Sequence, residues 1–572
     1  MSWSMWMTAI SASYSTLNMM SCCPSTSALP ITALGRRIAR RTLSEIARSS
    51  GSAQQRRSFQ DYFRVRTQTG GSARVSLTPN SVYGIATSRG TRPSQEDTYA
   101  VACLSLPASE LAGAYHRPPA ATGVDSETAT KWKKSLDDAS PEDQALAGQL
   151  MWFGCYDGHG GQAVSAFLKS NLHRIFETVE PSLATDTVQY TRALGGYFRR
   201  FTGGEISRWV RQEHLKPVRA GPSPALAPNR TGRSPNQRPP EIKSTAELQR
   251  EEEEEQSHRS PRTLSELIDG IKSDARENAV GAVAATSSDV EADADDASSD
   301  ALPDPKQARQ KTPSDATDEQ EDYASFTERI QPPEDVVGEH MTLAERATLS
   351  WLIADRTIQA NDNLNVGGST ASVALLHSLD VPAVPFYSSK LVGMTAVHVG
   401  DTRLLLCAKS NGEAIPLTNY HHPDDPAESE RLRRVGAGMV TDSFGEARWM
   451  GALANTRAFG DSRYKRAGVT AEPEVITRII NGDDFAFIIG FSDGIGGVMS
   501  DQEIVDLCRG ARHPSQAAKS VLTFAEELGS DDNGTVLCIP LRGWGQVGGK
   551  DTTKERRELR RSKTDIFRDH RQ

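Results

Sequence analysis

Apolar positions fall in two blocks separated by a long polar stretch. Folded patterning begins near residue 76, where short apolar runs alternate with helical stripes, and it resumes near Thr342. In the first block, residues 150–156 form a strand-like run. Val164, Phe167, Leu168, Leu172, Ile175 and Phe176 then share one helical stripe. Residues 107–147 are polar and rich in Pro and Ala, and read as a loop insertion. In the second block, helical periodicity runs from Thr342 to about Ala360. Strand-like runs follow at 370–376, 395–399, 403–407, 485–492 and 535–541. No internal repeat is visible.

The stretch between the blocks, about 215–335, is rich in prolines and poor in aromatics. It contains the run Glu251 to Glu255 and an acidic stretch from Asp289 to Asp300. Such a segment buries too little apolar area to offset its ordering entropy, so a disordered acidic insertion is expected. Within it, Leu264, Leu267, Ile268 and Ile271 have helical spacing, which reads as a transient helix or a docking helix. Residues 543–572 read as a charged disordered tail. Residues 1–70 carry Arg36, Arg37, Arg40, Arg41, Arg48, Arg56 and Arg57, with Glu45 the one acid before Asp61. The arginines at 36–48 lie opposite Leu34, Ile38, Leu43 and Ile46 on a helical wheel. That pattern suits a mitochondrial transit segment, or otherwise a disordered basic tail.

Composition narrows the domain count. Hydrophobic residues are 37% of the 572, low for a chain folded throughout, so one folded domain with unfolded additions is expected. The net charge of −9 is modest and offers no whole-domain basic surface for nucleic acid. Cys22, Cys23, Cys103, Cys155, Cys407, Cys508 and Cys538 form no CxxC pair and have no zinc-spaced His, which suits free or buried thiols. No apolar stretch approaches the roughly 20 residues of a membrane helix.

The chemistry lies in four acidic motifs at strand ends. They are Arg92-Pro-Ser-Gln-Glu96-Asp97, Asp157-Gly158-His159-Gly160-Gly161, Ser492-Asp493-Gly494 and Asp532-Asn533-Gly534. Each DG or DN alone is a turn signal. Together, without zinc-spaced His or Cys, they point to a hard cation with oxygen ligands, Mg2+ or Mn2+. Two such cations can hold a bridging water and clamp a phosphoryl group for in-line attack.

In order along the chain stand RPSQED, FGCYDGHGG, GGSTASVALL, VHVGDTRLLL, LTNYHHPDDPAESERLRRVGA, LANTRAFGDSRYK, AEPEV, FSDGIGG and DDNGTV. In these pieces the sequence resembles the PP2C (PPM) family of metal-dependent serine/threonine phosphatases over roughly 80–205 and 340–542, and looks like a mitochondrial, fungal-type member. The resemblance implies an α+β fold, a four-layer α-β-β-α sandwich of two antiparallel sheets flanked by helices, spanning 76–542. It also implies that Asp157 bridges two Mn2+ or Mg2+ ions and that Gly158 binds one through its carbonyl. Asp493 and Asp532 would hold the other, and Glu96 and Asp97 would contact the metals or their waters. Arg92 would bind phosphate, and His159 would protonate the leaving oxygen. Ser369-Thr370, His421, His422 and Arg457 read as structural, with Arg457 and Asp461 in the flap region.

Two positions depart from the family pattern. Gly497 stands where an acid usually joins the VGD aspartate, here Asp401, in a third metal site, which puts a third ion in doubt. Tyr420 replaces an Asp. The expected substrates are phosphoproteins, handled by a monomer; matrix enzymes such as pyruvate dehydrogenase follow from the mitochondrial reading, and cytoplasm or nucleus is the alternative location. A catalytically dead binding module and a small phosphate-ester hydrolase are the competing functions.

Overall fold

The computed structural model describes residues 61–67, 71–116, 126–218, 328–361, 363–364, 366–433, 439–441, 447–450 and 453–569. Most of the segment read as targeting, and the Leu264–Ile271 stripe with nearly all of the acidic insertion, lie outside them. In chain order the first strands are β1 (Tyr62–Arg66), β2 (Ser72–Ser76), β3 (Gly84–Ser88), β4 (Thr98–Ser105) and β5 (Gln149–His159). Next come β6 (Gly368–Ser378), β7 (Leu391–Val399), β8 (Arg403–Ala408), β9 (Ala414–Pro416) and β10 (Met439–Thr441). The last are β11 (Ala447–Trp449), β12 (Phe459–Gly460), β13 (Glu474–Asn481), β14 (Phe485–Phe491) and β15 (Gly534–Pro540). The helices are α1 (Ala108–His116), α2 (Ser126–Asp137), α3 (Pro141–Ala147), α4 (Ala163–Thr178), α5 (Ala184–Ala193) and α6 (Leu343–Ala360). They continue with α7 (Pro426–Arg433), α8 (Asp493–Gly496), α9 (Asp501–Cys508), α10 (Pro514–Glu527) and α11 (Lys554–Asp569).

Two antiparallel sheets carry the fold. One runs β13-β7-β6-β5-β4 with the short β12 beside β6; the other runs β3-β15-β14-β8-β9. Alternation along each strand builds three apolar layers. Phe153, Leu376, Met394, Leu406, Ile488 and Leu537 meet between the sheets. Trp152, Leu375 and Val397 face outward against Leu168 and Phe176 of α4 and Trp351 of α6. Ile489 and Phe491 face the other way against α9 and α10. The expected α-β-β-α sandwich is therefore the observed one. No helix among the described residues is long and apolar enough to cross a membrane.

The structure differs from the sequence reading at the margins of the domain. Residues 107–147 contain three helices rather than a loop, and Leu111, Tyr115, Trp132 and Leu136 are buried in the outer core layer. Pairs such as Leu111/Tyr115 and Trp132/Leu136 form short i,i+4 stripes that the polar average hides. Strand β1 lies inside the segment assigned to targeting, and its Phe63 enters the inter-sheet core. The tail expected to be disordered contains α11, whose Arg556 and Arg560 reach the fully buried Glu503. Both described edges of the insertion are tied down. Lys216 N–H donates to Gln189, Glu328 N–H to Asp186, and Ile330 N–H to the Ser182 carbonyl.

Candidate active site

Strand register gathers the four acidic motifs. In the first sheet the start of β4 lies beside the end of β5, with Thr98 opposite Tyr156, so Asp97 and Asp157 emerge together. In the second sheet the end of β14 lies beside the start of β15, with Phe491 opposite Val536, so Asp493 and Asp532 do the same. The Ser492 hydroxyl joins the two sheets, donating to Asp97 Oδ2 at 2.7 Å. Asn533 is a second tie. Its Oδ1 accepts from Glu96 N–H at 2.6 Å, and its Nδ2 donates to the carbonyls of Arg89 and Ser94.

The carboxylates crowd one another. Asp97 is almost fully buried, and burial pushes its pKa up to about 6 against the opposing help of the Ser492 hydroxyl. Desolvation by burial, then the charges of Asp493, Asp97 and Asp401, push Asp157 well above the carboxylate range. Asp493 stands at the rim and is still pushed up to about 7, by desolvation first and Asp401 next. Desolvation together with neighbouring negative charge is what a bound cation would offset. One acceptor points the same way: Asp97 Oδ1 is buried with no hydrogen-bond partner. Among the described residues no three His, Cys, Asp or Glu side chains are already arranged as ligands of one ion. Some of their oxygens are engaged elsewhere, Asp532 Oδ2 by Arg92 at 2.7 Å and Glu96 Oε1 by the Ser94 hydroxyl at 2.9 Å. Gly158 has to be a glycine, because a Cβ there would stand 2.6 Å from the Glu96 carbonyl and 2.8 Å from Ser165 Oγ.

His159 is 45% exposed, and its Nε2 lies 3.1 Å from both oxygens of the largely buried Asp461. Burial lowers the imidazole pKa, but the Asp461 hydrogen bond and charge outweigh it, and the net shift is upward. Asp461 was read as part of a flap; the structure makes it the partner of His159. Arg457 does hold this region, with its guanidinium on Glu428. His421 is buried, and its Nδ1 accepts from Gly400 N–H at 3.0 Å. His422 lies 3.9 Å from Asp401, and Tyr420 stacks on His422. Gly497 follows α8 and brings no carboxylate to Asp401. The supporting roles absent from the sequence reading are those of Ser492 and Asn533 as ties and of Asp461 as the partner of His159. For Ser492 and Asn533 the signal was adjacency to the aspartates, but adjacency does not reveal which atom a side chain reaches.

Residues 307–534 match the family model described as protein phosphatase 2C. In that stretch the chain is similar to protein phosphatase 2C. The match includes Asp493 and Asp532, and the sandwich adds Asp97 and Asp157 from the block upstream of the insertion. Among curated proteins, the chain is 39% identical over 193 residues to protein phosphatase 2C homolog 4 of Schizosaccharomyces pombe, covering 34% of this chain and 50% of that protein. It is 32% identical over 179 residues to the mitochondrial protein phosphatase 1K of Xenopus laevis, covering 31% and 44%. The chain thus spans about half the length of the curated relatives it matches. A solved serine-threonine phosphatase 2C from Toxoplasma gondii is 15% identical with a TM-score of 0.38, covering 81% of this chain and 96% of that one.

Proposed function

We propose that this chain hydrolyses phosphoserine and phosphothreonine in proteins, converting the ester and water to the free hydroxyl and inorganic phosphate. The observation that carries the reading is the convergence of Asp97 and Asp157 from one sheet with Asp493 and Asp532 from the other, around a buried carboxylate oxygen that lacks a partner. An all-oxygen donor set suits Mn2+ or Mg2+. Asp157 and the Gly158 carbonyl would hold one ion, Asp157, Asp493 and Asp532 the other, with Glu96 and Asp97 on the metals or their waters. Bound there, the ions would supply a water of lowered pKa and a clamp on the phosphoryl oxygens. Gly497 leaves Asp401 without a second carboxylate for a third ion.

Arg92 is exposed, and its present partner Asp532 belongs to the cluster, so its planar fork can exchange that contact for substrate phosphate. Asp461 holds His159 at Nε2 and favours the imidazolium. The remaining ring proton, on Nδ1, is then the one given to the departing serine or threonine oxygen. The test is turnover of a phosphothreonine peptide by the full chain after chelation and addition of Mn2+. Activity is expected to return with Mn2+ or Mg2+, and Asp157→Asn is expected to lose at least about 100-fold while remaining folded. Undiminished turnover by that variant overturns the reading.

Mitochondrial targeting, with phosphorylated matrix enzymes as substrates, belongs to the same proposal. It is supported by the arginine-rich, acid-poor N-terminus and by the mitochondrial relative. A cytosolic location for a reporter carrying residues 1–70 would refute it.

A further inference from the structure

The segment that presents Asp461 to His159 cannot hold itself in place. Strand β12 is two residues long, with Phe459 opposite Ser369 and Gly460 opposite Gly368. Asp461 follows with φ of +50°, a left-handed conformation that is costly for a residue with a side chain. The space is also tight. A Cβ on Gly368 would stand 2.5 Å from His159 Nε2 and 2.6 Å from Asp461 Oδ2, and a Cβ on Gly460 would stand 2.3 Å from the Gly367 carbonyl. A shift of a few tenths of an ångström in this segment therefore moves the imidazole or breaks its contact.

What grips the segment is a buried ion pair. Asp355 of α6 lies 2.9 Å from Lys465 Nζ, and the two side chains are 7% and 2% exposed. Asp355 Oδ1 also accepts from Gly460 N–H at 2.9 Å, while Lys465 Nζ donates to the Ala458 carbonyl at 2.8 Å. The pair thus holds the chain on both sides of Phe459. Gln359 donates to the other Asp355 oxygen at 2.6 Å, fixing the carboxylate on its helix. Beyond Asp461 the chain turns at once into Lys465, with Tyr464 N–H donating to the Asp461 carbonyl at 2.9 Å. Burying two opposite charges adds little net stability compared with apolar packing, so its return has to come from fixed geometry.

We propose that Asp355 and Lys465 are positioning residues for leaving-group protonation, holding Ala458–Gly460 so that Asp461 meets His159. The inference rests on the phosphatase reading above and deepens it. Neither residue touches substrate; both act through Asp461. A device that serves proton delivery matters most for an ester whose leaving group needs a proton. A serine alkoxide does, and p-nitrophenolate does not.

The experiment compares Lys465→Met, the near-isosteric Asp355→Asn, and Asp461→Asn in the full chain with saturating Mn2+. The substrates are a phosphoserine peptide and p-nitrophenyl phosphate. Each variant is expected to lose about 10–100-fold in kcat on the peptide, with far smaller loss on the nitrophenyl ester and little change in KM. Adding Lys465→Met to Asp461→Asn is expected to cost nothing further in that ratio. Equal loss on both substrates overturns the proposal, because general loosening of the fold would produce it. If the wild-type chain turns over neither substrate, the phosphatase reading falls. The positioning claim is then decided by a crystal structure of Asp355→Asn or Lys465→Met. Loss of the Asp461–His159 contact supports it, and an unchanged contact overturns it.

Discussion

At the scale of residues, the site is a set of acids held closer together than their charges favour. Burial first, and the charge of Asp532 last, push Asp97 from 3.8 to about 6, a shift of the order of 3 kcal/mol. In the ion-free protein the folded form then binds protons more tightly than the unfolded form. The associated stability is present below pH about 4 and is lost as pH rises through 6 to 7, the range of Asp97 and Asp493. The chelated protein is therefore expected to melt at a lower temperature at pH 8 than at pH 5, and Asp97→Asn is expected to flatten that slope. Differential scanning fluorimetry across pH in EDTA checks this; a wild-type Tm that rises toward pH 8 contradicts it. The acids themselves were legible in the sequence because each opens or closes an apolar run. Asp461 was not, because its role depends on a two-residue strand pairing with β6 and on a left-handed backbone, neither of which leaves a periodic trace.

At the scale of elements, long apolar runs read correctly and short or charged ones did not. Strands β5, β6, β14 and β15 are buried on both faces, and the apolar runs of β5, β14 and β15 are nearly continuous, as a doubly covered strand requires. Helix α11 has almost no apolar face to detect. It docks through Arg560 on Glu503 and on the Val498 carbonyl, and through Arg561 on Glu527, contacts that a hydrophobicity pattern cannot show. The edges of the insertion were misread for a similar reason, since they are held by polar contacts to α5 and the turn before it. Gln189 and Asp186 receive backbone N–H groups from the two sides of the insertion, so both edges return to one helix. Replacing residues 225–325 with a short Gly/Ser linker is therefore expected to leave the Tm within a few degrees and p-nitrophenyl phosphate turnover within about twofold. Thermal melting and a kinetic assay of the purified variant check this. Failure to obtain folded protein would mean that the insertion supplies part of the core.

At the scale of the whole molecule, the two sheets meet through an apolar layer along most of their length and through like charges at one end. The inter-sheet core resists separation everywhere except where Asp97 and Asp157 face Asp493 and Asp532. At that end the hydrogen bond from Ser492 to Asp97 opposes the repulsion, and Arg92 neutralises Asp532 from outside. A divalent ion held by acids from both sheets would turn this weak end into a cross-link. It would bind the assembled sandwich and not the unfolded chain, so mass action requires it to stabilise the fold, by about 2.7 kcal/mol at a free concentration one hundred times its Kd. Mn2+ added to the chelated protein at pH 7.5 is accordingly expected to raise the Tm in a saturable way, with Mg2+ doing the same at higher concentration. Asp157→Asn and Asp493→Asn are expected to be less sensitive to Mn2+ and more stable than the wild type without it, since each removes one of the repelling charges. That double signature separates a site built for ions from acids that merely support the fold. Variants that lost stability without metal and kept the full Mn2+ response would place the ion elsewhere.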